Sequence, residues 1–303
     1  MKTSNFAKEF KRTWQLWIFV LPGLIYYIIF KYYPIYGSQI AFKDFSPWLG
    51  FWDSPWVGFD NFKRFFTSPD FITIIKNTIV INVAQLVIGF PCPIILAVLV
   101  NEINQKRLKK TIQTITYAPY FISTVVLVGM LSTMLSPYNG VVNIIIQKLG
   151  GEAIFFMGDS KIYLWLYVFS GIWQSCGYSA IVYIAALSSI DSQMHEAARV
   201  DGATRIQRIM FIDIPGIMPT IITMLILQAG RLLTLGFEKS YLMQNSLNTG
   251  VSEVIATYTY KRGIIGGDFS YSTAIEMFQA VISFAILVIV NKICKKYNDT
   301  SLW

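Results

Sequence analysis

Long apolar stretches alternate with shorter polar segments along most of the chain. A helix that crosses the hydrocarbon core of a bilayer needs about 20 predominantly apolar residues. Six stretches approach or reach this length, and the first runs on toward Phe42 with a bend expected at Pro34. They are Trp14–Phe30, Thr78–Val100, Ile112–Leu135, Tyr163–Leu187, Ile214–Leu235 (interrupted late by Arg231) and Tyr271–Val290 (with Glu276 inside it). The pattern predicts an all-α, polytopic membrane protein with six transmembrane helices.

Basic residues are concentrated on one side of these spans. If the N-terminus is cytoplasmic, the inner segments hold the tight Lys106–Lys110 cluster and the basic residues of 2–12, 199–208 and 292–296. Cytoplasmic loops of membrane proteins carry an excess of Lys and Arg. The charges therefore predict that both termini are cytoplasmic. The expected organisation is a tail at 1–13, a transmembrane domain at 14–293 and a second tail at 294–303.

The composition supports a membrane location and excludes two other classes of protein. Of the 303 residues, 54% are hydrophobic and only 14% are charged, whereas a soluble domain carries about 25% charged residues. So few charges cannot cover a water-facing surface, which argues against a soluble enzyme. The net charge of +8 is too diluted by apolar sequence to indicate a nucleic-acid-binding protein.

The residues needed for catalysis are largely missing. The chain has no G-x-x-x-x-G-K-[ST] loop, so it should not bind nucleotide by itself. Its single histidine, His195, makes a Ser-His-Asp triad or a zinc site improbable. None of its three cysteines lies in an outer loop, and we expect buried free thiols rather than a disulfide. The sequence predicts no catalytic residue and no metal site.

The outer segment between Lys31 and Lys76 is rich in aromatic residues, among them Trp48, Trp52 and Trp56. Such residues suit the lipid headgroup boundary, and an interfacial collar is one interpretation. A site that binds a ligand through aromatic rings is the other.

The most informative segment is the predicted cytoplasmic loop 188–213 between the fourth and fifth spans. We read it as two short helices joined by a turn. Asp191 can cap the first helix, Ala197 and Ala198 allow another surface to approach closely, and Gly202 can end that helix in a left-handed conformation. Ile206, Ile209 and Met210 form an apolar stripe, and Pro215 begins the fifth span. A helix this short is not stable alone and needs a partner groove.

This loop resembles the E-A-A-x-x-x-G…I-x-L-P signature of permease subunits of binding-protein-dependent (type I) ABC importers. Here it reads Glu196-Ala197-Ala198-Arg199-Val200-Asp201-Gly202, followed by Ile212-Asp213-Ile214-Pro215. The family's leucine before the proline is Ile214 in this chain.

The resemblance extends over nearly the whole chain, toward permeases for complex polysaccharides and oligosaccharides such as aldouronate-type systems. The segments that carry it are Leu21-Pro22-Gly23, Tyr32–Gly37, Ile40–Asp44, Trp56–Phe62, Gly236-Phe237-Glu238 and Thr257–Tyr260. One departure is Ile275-Glu276-Met277-Phe278, where that group usually has Val-Gly-Leu-Phe.

The resemblance implies a MetI-like permease core and a set of partners. It implies a second, homologous permease that forms a heterodimer with this one, and two cytoplasmic ATPase subunits that hold ATP and Mg²⁺, with no cofactor on this chain. It also implies an extracytoplasmic solute-binding lipoprotein that delivers an oligosaccharide, and a multi-pass location in the bacterial plasma membrane. The loop would then couple the ATPase to the spans through Asp191, Glu196, Ala197, Ala198, Arg199, Asp201, Gly202 and Pro215.

Polar side chains inside apolar spans are candidates for the translocation path, because they are costly there unless they face a cavity or a partner. The polar candidates are Asn82, Gln85, Gln174, Tyr178, Gln228, Arg231 and Glu276. Because sugars stack on aromatic rings, Trp173 and Tyr178 are candidate wall residues. Hydrogen bonding between helices explains such residues equally well. Arg231 and Glu276 could pair near the outer face, or contact an acidic sugar or the binding protein.

The function expected from the sequence is therefore that of the permease subunit of an ATP-driven importer, which moves an oligosaccharide inward by alternating access. A stand-alone secondary carrier is the alternative, since six spans can support one. The scarcity of acidic residues inside the spans and the docking loop argue against it. A membrane enzyme and a purely structural scaffold are weaker hypotheses.

Overall fold

The computed structural model describes residues 3–298, with side chains described for residues 12–296. Within these ranges the chain folds into α-helices with short π and 3-10 turns, and no strand is formed there beyond one isolated bridge between Lys43 and Trp56. This agrees with the all-α expectation. The predicted tails at 1–13 and 294–303 lie partly outside the described residues, and their cytoplasmic placement stays a prediction.

The chain divides into two compact units. One contains the residues up to Thr67 together with Arg262–Met277, and the other contains Ser68–Lys261 together with the residues from Phe278 onward.

The first unit is built on the N-terminal helix. Its elements are Thr3–Tyr27, a π turn at Ile28–Tyr32, Tyr33–Gly37, a 3-10 turn at Ser38–Phe42, and the short helices Gly50–Asp53 and Asp60–Phe66. The first predicted span is one continuous apolar helix over Arg12–Phe42, so it does run on to Phe42 as expected. None of its most apolar stretch is buried within this chain. This helix therefore needs lipid or another protein around it.

The segment that follows Phe42 is folded around a buried lysine. The Nζ of Lys43 donates hydrogen bonds to the carbonyl oxygens of Phe51 (2.7 Å) and Trp52 (3.3 Å). The same ammonium lies 5.0 Å from the ring centre of Trp56. Trp48, at 95% exposure, projects from this segment. Both interpretations of these aromatic residues, a lipid collar and a ligand-binding wall, remain predictions.

The second unit contains the remaining helices. They are Phe71–Ala84, Pro91–Asn101, Lys106–Tyr117, Thr124–Met134, Val141–Lys148, Ser160–Ser188, Ser192–Val200, Arg205–Arg208, Ile214–Gly216, Met218–Ala229, Phe237–Met243, Thr249–Ser252 and Ile255–Thr259. Turns of π or 3-10 type lie at Gln85–Gly89, Ala118–Phe121, Ile209–Asp213 and Tyr260–Ile265. The last helix, Phe269–Asn298, begins in the first unit and ends in the second.

Three of the π turns lie just before a proline. The turns Ile28–Tyr32, Gln85–Gly89 and Ile209–Asp213 end two residues before Pro34, Pro91 and Pro215, respectively. A proline inside a helix removes one backbone hydrogen bond and clashes with the carbonyl four residues earlier. A π turn widens the helix at that point, so the chain passes each proline without ending the helix. This is why Pro34 does not break the first span.

Three described helices are long and apolar enough to cross a membrane, or up to five if each of two bent pairs counts as one span. The single helices are Arg12–Phe42, Phe71–Asn101 and Phe269–Lys296, and the bent pairs are Lys106–Phe121 with Thr124–Met134 (94°) and Arg205–Gly216 with Met218–Ala229 (59°). The third and fifth predicted spans are therefore not single straight helices. Arg231 does not interrupt the fifth helix, because that helix ends at Ala229.

The fourth predicted span coincides with the 29-residue helix Ser160–Ser188, which we call the cavity helix. At about 1.5 Å per residue it is long enough to cross a bilayer. Several of its polar side chains line the cavity described below. Gly177 lets this helix approach Lys106–Tyr117 very closely, since a Cβ atom there would lie 2.0 Å from the carbonyl oxygen of Thr116.

Candidate functional site

The loop between the cavity helix and the fifth predicted span contains a nine-residue helix, Ser192–Val200, which we call the loop helix. Its N-terminus is capped by Asp191, whose Oδ1 accepts a hydrogen bond of 2.9 Å from the backbone N–H of Gln193. The sequence predicted this cap. An aspartate in this position satisfies one of the free N–H groups and complements the positive end of the helix.

The loop helix ends in a tight turn at Gly202. This glycine has a φ of +79°, a left-handed conformation that costs other residues free energy. The backbone N–H of Ala203 donates to the carbonyl oxygen of Ala198 at 2.8 Å, as in a Schellman cap. Thr204 and Gln207 then form a capping box that starts the next short helix. The predicted pair of short helices joined by a turn at Gly202 is confirmed.

No residue of the loop helix is buried within the chain. Several apolar side chains around it are also exposed: Met194, Val200, Ile206, Met210 and Phe211. An open groove of about 320 Å³ lies beside them, between Ala198 and Phe211. The predicted coupling residues Glu196, Ala197, Arg199 and Asp201 lie on this helix or at its end, and Pro215 lies just beyond, after the π turn. A short helix with exposed apolar neighbours has the features of a docking surface.

The second unit also contains an open cavity of about 730 Å³. Its lining comes from the second predicted span, Tyr120 of the third, the cavity helix, the fifth predicted span and the segment after it. Six of the eight predicted path residues line it, namely Asn82, Gln85, Gln174, Tyr178, Gln228 and Arg231. Trp173 is half exposed on the cavity helix and is not part of the lining, and Glu276 is exposed and belongs to the other unit.

Two of these path residues contact the bend between the two helices of the third predicted span. The Nε2 of Gln174 donates a hydrogen bond of 2.8 Å to the carbonyl oxygen of Ile122, which lies between the two bent helices. One turn further along the cavity helix, the ring of Tyr178 stacks on that of Tyr120 with 3.8 Å between centres and 4° between planes. Broken backbone at membrane depth is tolerated where protein satisfies it or where it lines a cavity. Gln174 therefore acts as a partner between helices and as part of the cavity wall.

The cavity also contains a buried lysine, Lys239, which the sequence analysis did not select as a path residue. It lies on the short helix Phe237–Met243, which follows the fifth predicted span, and it is only 9% exposed. Its Nζ donates to the carbonyl oxygen of Tyr167 at 2.7 Å and lies 4.5 Å from the centre of that ring. Burial lowers the pKa of Lys239 to about 8. The one sign in the sequence that Lys239 could matter was its position directly after Gly236-Phe237-Glu238, a segment that carries the family resemblance.

The charged residues that line this cavity have one sign. Arg231 and Lys239 are the charged residues of the lining, and no Asp or Glu is part of it. Within the described residues, no group of three His, Cys, Asp or Glu side chains could hold a metal ion. Cys92, Cys176 and Cys294 are all free thiols and half-buried. The cavity thus offers amides, hydroxyls, aromatic rings and two cations to a bound molecule.

Comparisons with known proteins agree on one family. Residues 72–302 match the model of the family described as "Binding-protein-dependent transport system inner membrane component". The chain is 43% identical to Protein LplB of Bacillus subtilis (strain 168) over 302 residues, which cover 100% of this chain and 95% of the relative. It is 40% identical to the "Polygalacturonan/rhamnogalacturonan transport system permease protein YteP" of the same organism over 288 residues, with 95% and 90% covered.

A solved structure agrees with the whole fold. A chain of "a bacterial ABC transporter involved in the import of the acidic polysaccharide alginate" superimposes with a TM-score of 0.90 at 38% identity, covering 97% of this chain and 99% of the other. The same transporter in complex with an alginate pentasaccharide-bound periplasmic protein gives a TM-score of 0.89.

Proposed function

The chain belongs to the family of binding-protein-dependent transport system inner membrane components, and on that premise we propose that its cavity passes an acidic oligosaccharide into the cell. The protein is the permease subunit of an ABC importer, not an enzyme, and ATP hydrolysis takes place on a separate subunit. Its core is MetI-like, as the resemblance implied. A stand-alone secondary carrier is thereby set aside.

The proposal of an acidic substrate rests on the positive charge of the cavity lining. Arg231 and Lys239 are cationic and no carboxylate lines the same cavity. A cavity lined by one sign of charge raises the local concentration of ligands of the opposite sign. Uronic acids bear a carboxylate on each sugar ring, whereas neutral sugars offer the two cations only hydroxyl acceptors and no opposite charge. Polygalacturonan, rhamnogalacturonan and alginate, the polymers in the names of the similar transport proteins, contain such acids.

Aromatic rings and amides in the same cavity suit the sugar rings themselves. Sugars bind by stacking their apolar faces on aromatic rings and by hydrogen bonds to their hydroxyls. Tyr120 and Tyr178 supply rings, and Gln85 and Gln228 supply amides, along the cavity. Together with the two cations, these groups match an oligosaccharide of uronic acids better than an apolar solute or a peptide.

The loop helix is the proposed link to the ATPase. It is too short to be stable by itself, and its surroundings expose apolar side chains that this chain leaves uncovered. Seated in a cleft of an ATPase subunit, it would move as a rigid body when the ATPase pair closes on ATP. The attached spans would then rock and turn the cavity from one side of the membrane to the other, which is alternating access by hinge motion. Glu196 would make the polar contact, and Ala197 and Ala198 the close one.

The remaining partners follow from the same premise. The exposed first span supports the expectation of a second, homologous permease beside this one, within the lipid bilayer. An extracytoplasmic solute-binding lipoprotein would deliver the oligosaccharide, and two ATPase subunits would carry ATP and Mg²⁺. The bacterial plasma membrane is the proposed location.

Reconstitution of the complete importer in proteoliposomes tests this function. Oligogalacturonate or oligoalginate, presented by the cognate binding protein, should enter ATP-dependently and faster than the corresponding neutral oligosaccharides. Gly202→Pro and Glu196→Lys should abolish uptake while the complex still assembles in the membrane. Glu152→Lys serves as the matched charge reversal, because Glu152 is exposed and far along the chain from the loop. Normal uptake by the two loop variants at normal abundance would refute the coupling role.

A further inference from the structure

The buried lysine of the cavity has an incomplete set of partners. An ammonium group has three hydrogen-bond donors, and among the described residues the Nζ of Lys239 donates to one atom, the carbonyl oxygen of Tyr167. The face of the Tyr167 ring adds a weaker attraction at 4.5 Å. Among the described residues, no carboxylate forms an ion pair with Lys239. A buried cation without a counter-ion is costly, and an anion that enters the cavity removes that cost.

A second nitrogen donor lies close to the same point. A Cβ atom placed on Gly171 of the cavity helix would lie 3.1 Å from the Nζ of Lys239 and 3.4 Å from the Nε2 of Gln85. Both nitrogens therefore lie against the cavity helix at the point where Gly171 has no side chain. Any larger residue would occupy this space. Gly171, Lys239 and Gln85 all line the cavity.

We propose that Lys239 and Gln85, above the bare backbone of Gly171, form a subsite that binds the carboxylate of one uronic acid residue during its passage. This inference rests on the proposed function and names the group of the substrate that the cavity recognises. The two oxygens of a carboxylate accept hydrogen bonds from an ammonium and from an amide N–H at the same time. A hydrogen bond between opposite charges is roughly twice as strong as one between neutral groups, so the subsite prefers a uronate over a hexose.

Arg231 has a different part in this arrangement. It lines the same cavity but is exposed, whereas Lys239 is buried. An exposed guanidinium attracts an anion over a distance but is screened by salt and water. The desolvated ammonium of Lys239 is the group that discriminates between a charged and a neutral sugar, because the interaction with a charge is stronger in a less polar environment.

The test uses the complete importer in proteoliposomes and two substrates of equal length, an oligogalacturonate and its methyl ester. Lys239→Met removes the charge and keeps most of the volume. We expect it to slow uptake of the acid about tenfold or more, since hydrogen bonds to charged groups contribute strongly, and to leave uptake of the ester unchanged or faster. Lys239→Arg should keep the preference for the acid. Lys161→Met, which removes one charge from the exposed start of the cavity helix, should change neither rate.

The outcomes separate this inference from the proposed function. If the wild-type importer carries neither acidic nor neutral oligosaccharide, the proposed function fails. If it carries the acid and Lys239→Met carries it equally well, only the subsite is refuted. Equal loss for both substrates, or a complex with a lowered melting temperature in both Lys239 variants, would show that Lys239 is structural and would also overturn the subsite. Gly171→Ala gives an independent check, because a methyl group placed between the two nitrogens should raise the KM for the acid more than that for the ester.

Discussion

The Nε2 of His195 lies 3.3 Å from the Oδ1 of Asp213, which connects the loop helix to the start of the fifth predicted span. Asp213 is the last residue of the π turn before Pro215, and it is only 1% exposed. Its Oδ1 accepts no hydrogen bond of good geometry from any described residue. The imidazole of His195 is in close contact with it, and the charge of Arg208 also acts on it. The only histidine of the chain thus links the loop helix to the start of the fifth predicted span, whose later residues line the cavity.

We expect His195→Ala to destabilise this junction, because it removes the basic side chain in contact with a buried carboxylate and leaves only the charge of Arg208 acting on it. Removing one member of a buried pair costs more than removing both. The melting temperature of the purified importer should therefore fall in His195→Ala and recover in part in the double variant His195→Ala, Asp213→Asn. Binding-protein-stimulated ATP hydrolysis should fall relative to basal hydrolysis in the single variant. An unchanged melting temperature and unchanged stimulation in His195→Ala would contradict this link.

A second prediction concerns the break in the third predicted span. Gln174→Leu removes the donor to the carbonyl oxygen of Ile122, and an unsatisfied buried carbonyl costs about 1–3 kcal/mol. We expect lower thermal stability of the importer and a lower rate of uptake. Ser188→Ala is the control, since the exposed Ser188 hydroxyl donates to the carbonyl oxygen of Ile184 within the same helix and lies outside the cavity lining. Equal melting temperatures for Gln174→Leu and Ser188→Ala would show that the bond from Gln174 is not needed at the break.

The close approach at Gly177 gives a third prediction. An alanine there would bring its Cβ within 2.0 Å of the Thr116 carbonyl oxygen, and this atom belongs to the backbone of a neighbouring helix and cannot move aside. Gly177→Ala should push the two helices apart and destabilise the fold by about 1–3 kcal/mol. Gly129→Ala is the matched helical control, because a Cβ at Gly129 meets nothing within 4 Å and alanine favours a helix over glycine. A thermal unfolding curve for Gly177→Ala that overlies that of Gly129→Ala would refute the overpacking.

Local sequence signals predicted the features that depend on neighbouring residues. The apolar stretches located the long helices, and Asp191 and Gly202 marked the two ends of the loop helix. A cap and a left-handed turn are set within a few residues. The break at Ile122 and the buried Lys239 depend on residues about 50 and 70 positions away, which no local pattern reveals. The π turns before Pro34, Pro91 and Pro215 were missed for another reason: proline predicts a bend, and only the backbone shows that the helix widens instead.

We expect Lys239 to make uptake of an acidic oligosaccharide depend on pH. Burial lowers its pKa to about 8, so the ammonium is charged at neutral pH and loses its charge as the pH rises through that value. The groups that face it are the ring and carbonyl of Tyr167, the Gln85 amide and, in the same cavity, Arg231. Uronate carboxylates and arginine keep their charges throughout this range. Uptake of an acidic oligosaccharide should therefore decline between about pH 7 and pH 9 because Lys239 is deprotonated.

The variant Lys239→Arg isolates this effect, because the pKa of arginine lies above about 12 and the side chain stays charged. Uptake is measured in proteoliposomes with the same pH on both sides, and each rate is divided by the rate of the Arg variant at that pH. This removes the pH dependence of the ATPase and of the binding protein. The normalised rate of the wild type should fall with rising pH for the acid and stay flat for the methyl ester. Parallel profiles for the acid in the two proteins would show that the charge of Lys239 does not take part in transport.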